Sequence, residues 1–280
     1  MKNLLVRLFW FLRLHEIARV LFQKNKTTIL YYHDIEPKLF DKHLNYLKSK
    51  YTIVSLEDYV FKRIAPDSKY RLIITFDDGH VNNHHLLEII KKHEVKCTIF
   101  LVSNVINTKR HFWFKWHKLD SKSKSILKKI ENNERLVTLA DEFGFHQDEE
   151  FDQPQALSAE QLEEMAPWIS FQSHTHTHPC LNRCSQKESL FEISESKKRI
   201  EELLQNHVFA LAYPNGDYEF KDTENAKRAG YSCVLTAKGY FNAAVFDTFE
   251  LNRLSVNDYS SIQELALRSS GVYLKMKKYF

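Results

Sequence analysis

From residue 27 onwards, short apolar runs rich in β-branched and aromatic residues alternate with longer segments of helical spacing, and this alternation limits the fold more than any other feature. The runs are 27–32, 71–76, 96–102, 168–173, 208–213, 232–236 and 249–255. Between several of them lie 39–50, 84–93, 187–205 and 223–230, where the apolar residues recur with helical spacing. Continuous apolar strands followed by helices predict parallel strands buried on both faces, an α/β chain. Seven such strands suit an irregular (β/α) barrel better than an open sheet, a choice that spacing alone leaves open. Catalytic groups in such architectures collect where strands end and loops begin.

Four strand ends carry the notable polar residues. His33 and Asp34 follow the first run, Asp77 and Asp78 the second, His174 a later one, and Pro214-Asn215-Gly216 another. Asp77-Asp78 and the segment Ser173-His174-Thr175-His176-Thr177-His178-Pro179 supply carboxylate oxygens and imidazole nitrogens, the mixture that zinc, cobalt, nickel or iron(II) accepts. Asp77-Asp78-Gly79 by itself is an ordinary polar turn after a buried strand. The histidine cluster gives it a chemical reading: one carboxylate and two imidazoles hold a metal, and the other carboxylate moves protons. His174 and His178 reach one ion if their loop curls into a helical turn, which sets i and i+4 on one side. His176 would then face away, as a supporting or solvent-facing residue. No His-Glu-Xaa-Xaa-His occurs, which disfavours a metalloprotease.

Thr75-Phe76-Asp77-Asp78-Gly79, then His174-Thr175-Xaa-Xaa-His178-Pro179, then Ala212-Tyr213-Pro214-Asn215-Gly216 resemble, in that order, the polysaccharide deacetylase family (carbohydrate esterase family 4). The resemblance covers residues 27–256 and implies an irregular (β/α) barrel that removes N- or O-acetyl groups from glycans with a divalent metal. By position it implies Asp77 as general base and Asp78, His174 and His178 as metal ligands, with zinc foremost and cobalt, nickel or iron as alternatives. An amide breaks only if its leaving nitrogen is protonated, and most members use a late histidine as that acid. Here no histidine follows His207. Tyr31-Tyr32-His33-Asp34 is similar to the poly-N-acetylglucosamine deacetylase branch, in which the acid histidine precedes the paired aspartates, so His33 is the expected general acid. The family's third motif often opens with Arg, where this chain has Ala212. Arg253 is the expected substitute partner for Asp77, a surface ion pair being the alternative. The Asn215 backbone N–H is a candidate for the developing oxyanion, with Tyr213 beside it.

The remainder sets the frame. No linker or low-complexity stretch divides the 280 residues, so the expected layout is an amphipathic helix over 1–26 followed by one barrel domain, 27–280. Residues 105–167 read as an insertion after the third strand, overhanging the rim. Its aromatics Phe112, Trp113, Phe114 and Trp116 either stack on sugar or anchor the insertion, and anchoring is the expectation. A formal charge of +4 with scattered lysines disfavours a nucleic-acid partner. Cys97 and Cys233 read as buried thiols, Cys180 and Cys184 as thiols near the histidines with a metal role as alternative. Residues 4–22 are apolar but broken by Arg7, Arg13, His15, Glu16 and Arg19, so no run reaches the roughly 18 residues of a spanning helix. The segment either packs on its own domain or rests on an anionic leaflet, with Lys2, Arg7 and Arg13 towards headgroups. Without a small-residue cleavage site the expected location is cytoplasmic, membrane-associated through residues 1–24, an extracytoplasmic site staying open. The expected activity is removal of N-acetyl groups from amino-sugar units of a cell-surface polysaccharide or its lipid-linked precursor. An O-acetyl esterase and a non-catalytic glycan-binding protein are the alternatives.

Overall fold

Eight strands form one parallel sheet in the computed structural model, which describes residues 2–64, 70–243 and 246–273; the side chains of Lys2, Asn3 and Leu4 fall outside the described set. They are β1 (Thr27–Tyr32), β2 (Thr52–Ile53), β3 (Arg71–Phe76), β4 (Cys97–Leu101), β5 (Ile169–Ser173), β6 (Ala210–Ala212), β7 (Cys233–Leu235) and β8 (Leu254–Ser255). Their order is β7-β6-β5-β4-β3-β1-β8, and every pairing is parallel. β2, absent from the sequence expectation, lies beside Arg71 and Leu72 at the start of β3, while β4 pairs further along with Thr75 and Phe76.

The last segment closes the barrel. Leu251 donates to the carbonyl of Val234 at 2.9 Å and accepts from Thr236 at 2.7 Å, and three residues later Leu254 pairs with Leu30 of β1. The predicted strand 249–255 thus splits into a bridge to β7 and a two-residue β8, preceded by a 3₁₀ turn at Thr248–Glu250. First and last strands are neighbours, as a closed barrel requires.

β-Branched and aromatic residues fill these strands because both faces are covered. Ile29, Leu30, Ile73, Ile74, Phe76, Ile99 and Phe100 are all buried, each worth about 1.5–3 kcal/mol of transfer free energy. The crossover helices carry readable start signals. Glu36 caps Pro37–Lys48, and capping boxes open Ala159–Met165 (Ser158 with Gln161) and Gln186–Leu204 (Ser185 with Glu188).

The residues read as an insertion form the long connection from β4 to β5, and β2 makes the strand before it the fourth. Its lysine-rich stretch is two helices, Ser121–Leu127 and Asn132–Asp141, and Ala159–Met165 is the ordinary crossover helix. Trp113, Trp116, Leu119, Leu127, Leu139 and Phe145 form a small core of their own, so anchoring accounts for most of the aromatic cluster. The amino-terminal segment is two helices rather than one. Arg13 adopts a left-handed φ of 54° and separates Lys2–Phe11 from Leu14–Phe22. Among the described residues no helix is long and apolar enough to cross a membrane.

Candidate active site

At the carboxyl ends of the strands lies a pocket of about 500 Å³ that gathers residues from eight segments of chain. Its lining includes His33, Asp77, Asp78, His174, His178 and Arg253. The strand-end expectation holds for His33, Asp77, Asp78 and His174, whereas Arg253 enters from the residue before β8.

Asp77 and Asp78 leave β3 in opposite directions because the chain turns sharply after Asp77. Asp78 has φ 73° and Gly79 φ 75°, both left-handed. Only glycine suits the second position: a Cβ there would lie 2.5 Å from Leu101 Cδ2. A left-handed aspartate is rare and costly, and it survives where surrounding structure holds it. Here it turns the Asp78 carboxylate towards the histidines.

The histidine loop does not form the expected helical turn. Thr175 and His178 are left-handed, φ 68° and 59°, and these reversals bring the His174 and His178 rings to 4.9 Å between centroids. His178 Nε2 lies 3.4 Å and His174 Nε2 3.6 Å from Asp78 Oδ1. All three side chains are buried, and Asp78 Oδ1 accepts no hydrogen bond. Three bare lone pairs facing each other repel unless a cation stands between them. Bonds of about 2.0–2.2 Å at tetrahedral angles separate ligand atoms by about 3.3–3.6 Å, which these spacings match. The donor set fits a divalent metal.

Two of the three ligands, His174 and Asp78, are tied back by a second hydrogen bond, while His178 Nδ1 has no partner among the described residues. His174 Nδ1 donates to the Ala212 carbonyl at 2.8 Å, which leaves Nε2 with its lone pair towards Asp78. His178 is pushed down to about 3, first by burial and then by its neighbour His174, against the pull of Asp78, so its imidazole is neutral. Burial would raise the Asp78 carboxyl, but the hydrogen bond and charge of His80, with His178 and His33, hold it well below the usual range.

Arg253 meets Asp77, as the missing arginine before Tyr213 led us to expect. Nη1 donates to Oδ1 at 2.6 Å and Nη2 to Oδ2 at 3.0 Å, while Nε bonds the Thr236 carbonyl at 3.2 Å. The pair is buried, not superficial: the side chains are 1% and 5% exposed. Burial works to raise the Asp77 carboxyl, and the guanidinium, with His174, outweighs it and lowers it. His33 sits on the same wall; its backbone N–H donates to Asp258 and its carbonyl accepts from Asn83.

Asn215 and Tyr213 both line the pocket. Asn215 is left-handed (φ 57°) and its side-chain oxygen accepts from Lys128 of the insertion. The Tyr213 amide donates to Leu235 and its hydroxyl bonds Thr223, so this residue shapes the wall with its donors already engaged. His176 is buried rather than solvent-facing, with Nδ1 bonded to Ser103 at 2.8 Å. Cys180 and Cys184 are buried thiols among the described residues and stand outside the Asp78–His174–His178 cluster.

Several contributors escaped the sequence reading. His80 Nε2 lies 3.1 Å from Asp78 Oδ2, and Lys115 of the insertion reaches His80 Nδ1 at 3.1 Å and Asp34 at 3.4 Å. Lys115 on Nδ1 leaves Nε2 as the His80 atom that donates to Asp78 Oδ2, and Oδ1 stays free for the cluster. Trp113 Nε1 donates to the His178 carbonyl at 2.9 Å, and the Phe114 ring packs 4.5 Å from the His178 ring. Buried Glu192 takes the backbone N–H groups of His176 and Thr177 and the Thr177 hydroxyl, at 2.6–2.9 Å. None of these carries a local motif, and all but His80, two residues beyond Asp78, are far from their partners along the chain.

Fold and pocket together define an α/β barrel with a carboxylate–histidine centre at its strand ends. Residues 65–234 match the polysaccharide deacetylase family, and the chain belongs to that family. The polysaccharide-deacetylase relative YxkH from Bacillus subtilis is 24% identical over 226 residues, 76% of this chain, and the match spans 65% of that relative's length. Among solved structures, IcaB from Ammonifex degensii superposes with TM-score 0.65 at 18% identity, covering 89% of this chain and 98% of its own. The Streptococcus pyogenes deacetylase PplD in complex with acetate superposes with TM-score 0.61 at 22% identity, covering 88% and 98%. These structures share the fold.

Proposed function

We propose that this chain is a metal-dependent deacetylase that removes N-acetyl groups from amino-sugar units of a cell-surface polysaccharide or its lipid-linked precursor. The observation that carries this reading is the convergence of Asp78 Oδ1, His174 Nε2 and His178 Nε2 on one point, with Asp77 clamped by Arg253 beside them. Asp78, His174 and His178 hold the metal, zinc being the first choice for this donor set and cobalt, nickel or iron(II) the others. A divalent cation so held supplies Lewis acidity to a water and to an acetyl carbonyl oxygen.

The chain's own residues move the protons. Asp77, kept ionised by Arg253, accepts a proton from the attacking water. Arg253 also fixes the carboxylate plane, since both oxygens are engaged. The backbone N–H of Asn215 donates to the acetyl oxygen as charge develops on it, a contact worth about 2.7–4 kcal/mol of barrier in known enzymes. His33 gives its proton to the departing nitrogen, so a free amine and acetate leave.

The test is acetate release from a panel of N-acetylated oligosaccharides, with and without added zinc, cobalt or nickel. Wild type should release acetate with metal and lose activity after chelation. Asp77→Asn should be inactive at every metal concentration; a variant as fast as wild type would mean that Asp77 is not the base.

A further inference from the structure

The second amino-terminal helix is built inside out. A helix lying on a soluble domain buries its apolar stripe and shows polar residues to water. In Leu14–Phe22 the inward stripe is His15 and Ala18, with His15 stacked 4.5 Å from Trp10, and Glu16 bonds Lys50 at 2.8 Å and Arg19. The outward stripe is Ile17, Val20 and Leu21, continued by Leu8 and Phe11 on the first helix and by Leu12 just after it. Phe11 is 82% and Leu21 66% exposed. Half of the large hydrophobic side chains exposed among the described residues fall between residues 8 and 22, so this is one patch and not scattered surface.

The charge around the patch has one sign. Exposed Arg7 and Arg13 flank it, and Lys24 closes the far end of the stripe that runs through 13, 17, 20, 21 and 24. The single acid of this region, Glu16, is taken up by Arg19 and Lys50. Residues 1–26 hold six Lys or Arg against one Glu, a net +5, whereas the whole chain carries +4, so the remaining residues sum to −1. The cationic character of the chain sits around its exposed apolar face.

We propose that this face docks on an anionic lipid surface, with Phe11, Leu12, Ile17 and Leu21 entering the acyl boundary and Arg7, Arg13 and Lys24 meeting headgroup phosphates. Apolar residues ringed by unpaired cations match that boundary, where acyl chains lie under a layer of negative charge. A second copy of the chain fits worse, because it would set Arg7, Arg13 and Lys24 against their own like charges. The docking leaves the pocket chemistry untouched, since none of these residues lines it.

Co-sedimentation of the full chain with phosphatidylcholine vesicles, with and without phosphatidylglycerol, tests the proposal. Each exposed cation contributes about five-fold in affinity, so omitting phosphatidylglycerol should weaken binding about a hundred-fold. One molar salt should weaken it as well. Phe11→Ser/Leu21→Ser should abolish sedimentation while melting temperature and turnover of a soluble substrate stay at wild-type values. Wild type that stays in the supernatant with both vesicle types overturns the proposal. So does anionic binding that survives the double substitution, or a dimer in lipid-free buffer that the same substitution dissociates. All three readouts are physical, so they stand apart from whether the pocket deacetylates a glycan.

Discussion

Replacing Arg253 by Met, alone and together with Asp77→Asn, probes the central pair most directly. Both side chains are almost fully desolvated and joined by two hydrogen bonds of 2.6 and 3.0 Å. Removing the guanidinium takes both of its hydrogen bonds from Asp77 and leaves His174 Nε2 3.9 Å away, so the carboxylate is stranded in a buried site. Stranding one member of a buried pair costs about 3–5 kcal/mol. The lost bond from Nε to Thr236 adds about 1 kcal/mol, while methionine retains much of the packing against Tyr31 and Phe100. Asp77→Asn strands the guanidinium instead, at a similar cost of about 3–5 kcal/mol. The double variant strands nothing, so it should be no less stable than either single one, a coupling of about 3–5 kcal/mol. Urea unfolding at neutral pH measures the cycle.

Kinetics supply the second readout. The Asp77 carboxyl is lowered in the fold, so the pair's stabilisation is present above the ordinary carboxylate range and is lost as acid protonates Asp77. In Arg253→Met burial loses its main opponent and this carboxyl rises, so the acid limb of kcat/KM moves to higher pH and activity returns as pH increases. An additive cycle, or an acid limb that stays in place, would refute the argument that Arg253 sets the charge of Asp77.

Three further outcomes follow from the same geometry. His33→Ala should lose about 10²–10⁴-fold on N-acetyl substrates and far less on O-acetyl esters, whose leaving group needs less protonation; equal losses would exclude His33 as the acid. His80→Leu and Lys115→Met should each weaken metal binding about 10–100-fold, read by competition with a chromogenic chelator, because the tether on Asp78 Oδ2 is gone. His176 is pushed down to about 4 by burial, with Arg199 adding to the effect, from an ordinary 6.5. The unfolded chain therefore gains a proton below 6.5 that the folded chain refuses, and wild type should lose about 3 kcal/mol by pH 4 that His176→Asn keeps, as read by urea midpoints at pH 7 and 4.

Much of this was written in local sequence. β1 and β3 fall where the apolar runs place them, to the residue, because a strand buried on both faces must be apolar along its whole length. Asp77, Asp78, His174 and His178 announce themselves through residue type and spacing. What stayed hidden depends on contacts between distant positions. β2 is two residues long and has no periodicity to read. The break at Arg13 is a left-handed residue that no glycine marks. Lys115 and Glu192 look like ordinary surface charges until the chain folds Lys115 onto His80 and Glu192 under the histidine loop.

The adjacent aspartates show why spacing finds a site before it can describe one. Asp77 and Asp78 are chemically identical and one residue apart, yet they meet opposite surroundings. Asp77 stays in the extended line of β3 and faces a guanidinium delivered from the end of the chain, so both of its oxygens are neutralised in place. Asp78, reversed by its left-handed φ, has one oxygen tied to His80 and the other bare between two imidazoles. A carboxylate with both oxygens fixed by hydrogen bonds suits proton transfer, and one with a bare oxygen suits a cation. Exchanging the two environments would require moving Arg253 and His80, not the aspartates. The division of labour between identical neighbours is therefore set by what the barrel brings to each of them.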